Sequence, residues 1–137
     1  MHLDLSEEEQ TLLKEIRNAK RFPIVRLELH NSEEKDLVSI ALNYVRINDP
    51  EESMETVKAR GEALRSLMER GLVFIDYTVK VWVSGDYSVY YKSKIYELLC
   101  QTVMEGAKLP GAVFNLPYMR KGYAYLTRKG EKTAAVL

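Results

Sequence analysis

The sequence predicts an α+β fold built as a single domain spanning residues 1–137, on three observations. Blocks of apolar residues recur at helical spacing, each opened by a capping residue, as where Ser6 and Glu9 precede Leu12, Leu13 and Ile16. Between those blocks lie period-2 segments, Val25-x-Leu27-x-Leu29 and the longer alternation from Val73 to Val83, which read as strands. The chain has 137 residues, 46% apolar and 29% charged, which suits one solvated domain around one core.

The first helix opens at Ser6, with Arg17 and Lys20 placed at the negative end of its dipole. Pro23 sets a boundary, and the following strand is expected to bury Val25, Leu27 and Leu29 while Arg26, Glu28 and His30 face water. Asn31 and Glu34 have capping-box spacing, so a second helix is expected from there through Leu37, Ile40, Ala41 and Tyr44 to about Val45. Asp49-Pro50-Glu51-Glu52 has the composition of a helix start, with Asp49 as N-cap and Pro50 in the first turn. The third helix then buries Met54, Val57, Gly61, Leu64 and Met68, with Leu67 at the edge of the stripe. A glycine on that buried face costs about 1 kcal/mol relative to alanine, which close approach of another backbone would explain. Gly71 ends the helix.

Val73 to Val83 predicts a long strand, turning at Ser84-Gly85-Asp86 and returning over Tyr87 to Tyr91 as a hairpin. Ile95, Leu98, Leu99 and Val103 predict another helix, closed near Gly106. Pro110, Gly111, Pro117 and Gly122 mark residues 108–122 as a loop, followed by a short strand over Gly122–Leu126 and a terminal helix capped by Thr127.

Three of these pieces, in order, resemble one family. Leu5-Ser6-Glu-Glu-Glu-Gln-Thr-Leu-Leu13 resembles the first-helix opening of bacterial winged helix-turn-helix regulators of the multiple-antibiotic-resistance-repressor type. Thr56-Val57 through Leu64, Leu67 and Arg70-Gly71-Leu72-Val73 is similar to their recognition helix and its exit. Leu126-Thr127-Arg-Lys-Gly130 is similar to the step that follows their wing. The resemblance implies a three-helix core with a β-hairpin wing, over residues 5–84 and 122–137, interrupted at 85–121 by an inserted helix and loop. About fifty residues separate Val73 from Leu126, far more than the usual wing, so a different α+β fold is the other reading.

Chemistry is sparse. His2 and His30 are the only histidines and Cys100 the only cysteine, so no zinc-spaced cluster, no internal disulfide and no nucleophile–histidine pair is legible. No phosphate-cradling glycine loop or nucleophile elbow occurs, and no catalytic residue, cofactor or metal is expected. The longest uncharged stretch, Leu109–Met119, is eleven residues, short of the roughly 18 a membrane helix needs. With no basic-then-apolar start and one cysteine, a cytoplasmic protein without membrane association is expected.

Net charge is zero but uneven: residues 1–70 hold 11 cations against 15 carboxylates, and residues 71–137 hold 9 against 5. Asp49, Glu51, Glu52 and Glu55 crowd the start of the recognition-like helix, where they would repel phosphates. Its outward face, Glu55, Lys58, Glu62, Arg65, Glu69 and Arg70, cancels its own charge at i,i+3 and i,i+4 spacings. Candidate nucleic-acid contacts are therefore Lys80, Lys92, Lys94, Arg120, Lys121, Arg128 and Lys129. Eight of nine tyrosines fall between Tyr77 and Tyr125, so Trp82, Tyr87, Tyr90 and Tyr91 are the candidate partner surface.

The family implies a non-enzymatic regulator that binds DNA through wing-side and C-terminal basic residues, acting as a homodimer. The alternative is a dimerisation or protein-interaction module without DNA binding. An enzyme whose site is invisible in sequence stands third. The sequence names no small-molecule effector.

Overall fold

The computed structural model describes residues 4–137; His2 lies outside them. It is α+β, with helices on both faces of one four-stranded antiparallel sheet. The helices are α1 (Glu7–Asn18), α2 (Met54–Glu69), α3 (Ser88–Tyr91), α4 (Lys94–Ala107) and α5 (Arg128–Ala134). The strands are β1 (Pro23–His30), β2 (Val38–Val45), β3 (Val73–Asp76) and β4 (Leu116–Leu126), in spatial order β2-β1-β4-β3.

The capping box at Ser6 forms as its residues predict: Ser6 Oγ accepts from the Glu9 amide at 3.1 Å, and Glu9 accepts from the Ser6 amide at 3.0 Å. Thr127 caps α5 by accepting from the Gly130 amide at 3.0 Å. Gly71, at φ 74°, closes α2 as expected: its own amide bonds the Met68 carbonyl and the Leu72 amide bonds the Leu67 carbonyl. Gly61 also behaves as expected. A β-carbon there would stand 3.1 Å from the Tyr44 carbonyl oxygen, so glycine lets α2 lie directly on the β2 backbone.

Four expectations fail. The segment expected as a second helix forms strand β2. Asn31 does accept the Glu33 and Glu34 amides, but the coil stops after one turn. The residues beyond it, Val38, Ile40 and Val45 among them, are stiff at χ1 and complete the open edge of β1 instead. The helix-turn-helix pair implied by the family resemblance therefore lacks its first member. Asp49 accepts the Glu51 amide in a tight turn, and the N-cap of α2 is Ser53, whose hydroxyl accepts from Thr56 at 3.1 Å.

The expected hairpin wing over 73–91 is likewise absent. β3 ends at Asp76, whose carboxylate bonds both the amide and the hydroxyl of Thr78 and turns the chain. Tyr87–Tyr91 is helical, and the partner of β3 is β4. Finally, the expected loop over 108–122 gives way at Leu116 to an eleven-residue central strand that pairs with both β1 and β3. Pro117 lies near its start, where a missing amide costs least. Gly122 stays inside it because a β-carbon would collide at 2.6 Å with the Asp76 carbonyl oxygen and at 2.7 Å with the Tyr77 ring.

Two apolar clusters flank the sheet. Leu12, Leu13 and Ile16 of α1 and Leu64 and Leu67 of α2 pack on Ile24 and Ala124, with Ala134 of α5 closing the same face. On the other face Tyr87, Tyr90, Ile95, Leu99 and Val103 cover Val25, Leu27, Met119 and Tyr123. Each buried leucine or isoleucine contributes about 1.5–3 kcal/mol of transfer free energy. The first face is only partly roofed. Beyond Ile24, no residue of the α1, α2 or α5 cluster packs on Arg26, Glu28 and His30, which share this face; Tyr77 lies against Arg26, and Glu28 is buried beneath its own neighbours.

Candidate functional site

On the unroofed half of the sheet, three registers place polar side chains side by side. Arg26 of β1 stands opposite Arg120 of β4, Glu28 opposite Tyr118, and His30 opposite Leu116. Directly facing guanidinium groups repel one another across a ladder. Glu28 resolves this. Its Oε2 accepts from Arg26 Nε at 2.7 Å and Arg120 Nε at 2.8 Å, and its Oε1 accepts from His30 Nε2 at 2.7 Å and Arg120 Nη2 at 3.2 Å. An ionised carboxylate only accepts, so the imidazole proton at this contact is on Nε2.

Glu28 is 0% exposed. Burial alone would raise its carboxyl, but hydrogen bonds from Arg120, His30 and Arg26 outweigh that and hold it at about 2. The same contact raises Arg120, through its hydrogen bond to Glu28. The trio Arg26–Glu28–Arg120 keeps one uncompensated positive charge. Its outer nitrogens, both Nη atoms of Arg26 and Nη1 of Arg120, bond to nothing else among the described residues. No described side-chain nitrogen or oxygen is buried without a partner, so these donors face solvent. The two side chains are 26% and 34% exposed.

Aromatic rings frame the pair. The His30 ring stacks on Tyr118 with centroids 4.4 Å apart, the Arg120 guanidinium lies 5.2 Å from the Tyr118 centroid, and Arg26 lies 4.9 Å from Tyr77. Tyr77 is locked from below: its hydroxyl donates to Asn43 Oδ1 at 2.9 Å, and Gly122 makes room for the ring. Tyr118 is 42% exposed. The arrangement is a fixed, shallow platform of two oriented guanidinium groups and a half-exposed aromatic ring. It is suited to grip an anion and stack on a flat group.

The residues singled out from sequence are dispersed. Of Lys80, Lys92, Lys94, Arg120, Lys121, Arg128 and Lys129, only Arg120 belongs to the platform. Lys121 points to the opposite sheet face, where its ammonium donates to the Tyr91 hydroxyl at 2.7 Å and lies 5.1 Å from the Trp82 and Tyr91 centroids. Lys94 pairs with Glu51, Lys129 donates to the Arg70 carbonyl, and Lys80, Lys92 and Arg128 are exposed at separate places. The aromatic partner surface also divides. Trp82 and Tyr91 are exposed, whereas Tyr87 and Tyr90 are core residues whose hydroxyls donate to the Gly122 and Pro23 carbonyls. Tyr87 and Tyr90, buried against the sheet, cannot serve a partner.

Sequence reasoning passed over Arg26, Glu28 and His30 because strict alternation reads them as a wetted strand face. The available signal was Arg-x-Glu-x-His itself: two basic groups bracketing one acid at positions that share a face. The cross-strand Arg120 could not be added without the register of β4. Comparison of the chain with protein-family models, curated proteins and solved structures finds no match.

Proposed function

We propose that this chain is a non-enzymatic regulatory protein that binds single-stranded nucleic acid on the open half of its sheet, with Arg26 and Arg120 on phosphates and Tyr118 beneath a base. The carrying observation is the guanidinium pair, oriented by one fully buried carboxylate and left with free outer donors. Orientation before binding removes part of the ordering cost of two long side chains. Tyr118 is already stacked on His30 at 4.4 Å, so a base would extend that stack from the part of the ring left exposed, and stacking tolerates any base. The shallow, unroofed shape suits an extended chain rather than an enclosed small molecule.

The regulator class rests on the family resemblance of the sequence alone. Duplex reading by α2 is disfavoured. Asp49, Glu51, Glu52 and Glu55 lie at its start, and Arg65 is held between Glu62 and Glu69.

The test is fluorescence anisotropy of labelled single-stranded and duplex oligonucleotides across a salt series. Two phosphate contacts predict a log–log salt slope of about −1.4 on a single strand. Tyr118→Ala is expected to weaken binding roughly 5-fold or more, while paired changes Arg128→Ala and Lys129→Ala leave it unchanged. Absence of single-strand binding at low salt refutes the proposal, as does loss of binding only in the Arg128 and Lys129 variant.

A further inference from the structure

The two edges of the sheet are built differently. β3 is four residues long and carries Asp76, so little of it can be extended by another strand. β2 is eight residues long, Val-Ser-Ile-Ala-Leu-Asn-Tyr-Val, with no charge and no proline. Among the described residues, α2 lies against the Asn43 and Tyr44 carbonyls at Gly61, and the Tyr77 hydroxyl bonds Asn43 at the same end of the strand. Over Val38–Leu42 the outward backbone groups bond to nothing among the described residues beyond the ladder with β1. Side chains along this stretch are exposed too: Leu37 at 42%, Val38 at 43% and Ile40 at 52%. A bare, apolar, uncharged edge of this length is a template for strand addition unless something pairs with it.

We infer that the occupant of this edge is a second copy of the same chain, paired antiparallel through Val38–Leu42 about a two-fold axis at Ile40. Two features favour the chain itself. Antiparallel addition of identical strands is closed by one two-fold operation and leaves no further β2 edge to propagate a fibre. The charges at the two ends of β2 also match end to end. At its start the turn Glu33-Glu34-Lys35-Asp36 is exposed, and its three carboxylates form no ion pair among the described residues. At its finish a groove of about 380 Å³ runs between β2 and α2, lined by Ile40 to Tyr44 and by Lys58, Gly61, Glu62 and Arg65. Lys58 is exposed and has no ion pair there. The two-fold brings residue 36 of one copy opposite residue 44 of the other. Leu37 of one copy then enters the other's groove, and Asp36 meets Lys58.

The result is a continuous eight-stranded sheet in which α2 of each copy flanks the strand of its partner. Because the axis is perpendicular to the sheet, both Arg26–Arg120 platforms lie on the same side, with the two β1 strands about 14 Å apart, three strand spacings. The dimer rests on the edge and its charges, not on the ligand proposed above.

Light scattering and sedimentation equilibrium across a wide concentration range provide the test, with circular dichroism to verify each variant's fold. The wild type is expected as a dimer at micromolar concentration. Ile40→Lys places two like charges at the axis and is expected to shift the monomer–dimer midpoint about tenfold or more toward monomer. Met104→Lys, at a still more exposed position on α4, leaves it unchanged. Asp36→Lys and Lys58→Glu each weaken the dimer, and together they restore it. A monomer throughout the range overturns the inference. So does a dimer that resists Ile40→Lys, one broken instead by Met104→Lys, or a failure of the double charge reversal to recover association.

Discussion

Replacing Glu28 by glutamine removes the one negative charge that holds Arg26, His30 and Arg120 together, at nearly unchanged volume. The carboxyl moves from an ordinary value of 4.5 to about 2 on folding. Such a fall corresponds to an upper bound of about 3 kcal/mol. Solvent reaches the two guanidinium partners, at 26% and 34% exposure, so screening trims this to about 2–3 kcal/mol. The folded-state pKa is depressed, so this stability is fully present above pH 4.5 and is lost as pH falls toward 2; more than half is gone by about pH 3. Urea unfolding of wild type and Glu28→Gln should therefore differ by about 2–3 kcal/mol at neutral pH, and the gap should shrink to less than half of that by about pH 3. Glu52, held at about 2 by its hydrogen bonds from Arg60, titrates over the same window in both proteins and cancels in the comparison. A constant gap between the two proteins from pH 7 to pH 3 would refute the assignment of Glu28 as a buried anionic clamp. A negligible gap at pH 7 would do the same.

Two further substitutions probe the frame around the site. Ser53→Ala is expected to cost about 1 kcal/mol and Asp49→Ala distinctly less, read from thermal or urea unfolding; the reverse order would restore Asp49 as the cap of α2. Gly130→Ala is expected to cost more than about 3 kcal/mol or to abolish folding, because the new β-carbon would sit 1.9 Å from the Leu72 carbonyl oxygen; a melting temperature close to wild type would show that α5 does not rest on that carbonyl.

Local chemistry was legible where its partners lie within a few residues. The Ser6–Glu9 box, the Thr127 cap, the Gly71 exit and the apolar stripes of α1 and α4 all follow from short spacings in the chain. Even the close approach at Gly61 could be inferred, since glycine on a buried helical face has few other reasons to be there. Apart from the local error at the cap of α2, what failed were segments whose conformation a distant partner decides. Leu37–Val45 satisfies a helical period, but the unpaired edge of β1 is a stronger demand. Val73–Val83 alternates like one long strand, yet Tyr77 leaves the sheet to cross Gly122, nearly fifty residues later. Pro117 and Gly122 look like loop markers until β4 is seen pairing on both sides.

The site divides in the same way. The sequence alone determined that the protein is α+β, that helices open at Ser6 and Thr127 and close at Gly71, and that Arg26, Glu28 and His30 share a strand face. Tertiary structure decided that Glu28 is buried, that Arg120 lies across from Arg26, and that Tyr118 and Tyr77 frame the pair. The physical reason is range. Caps and side-chain periodicity are settled by groups within a turn or two of the chain, whereas burial of the Glu28 carboxylate depends on a guanidinium 92 residues away arriving in register.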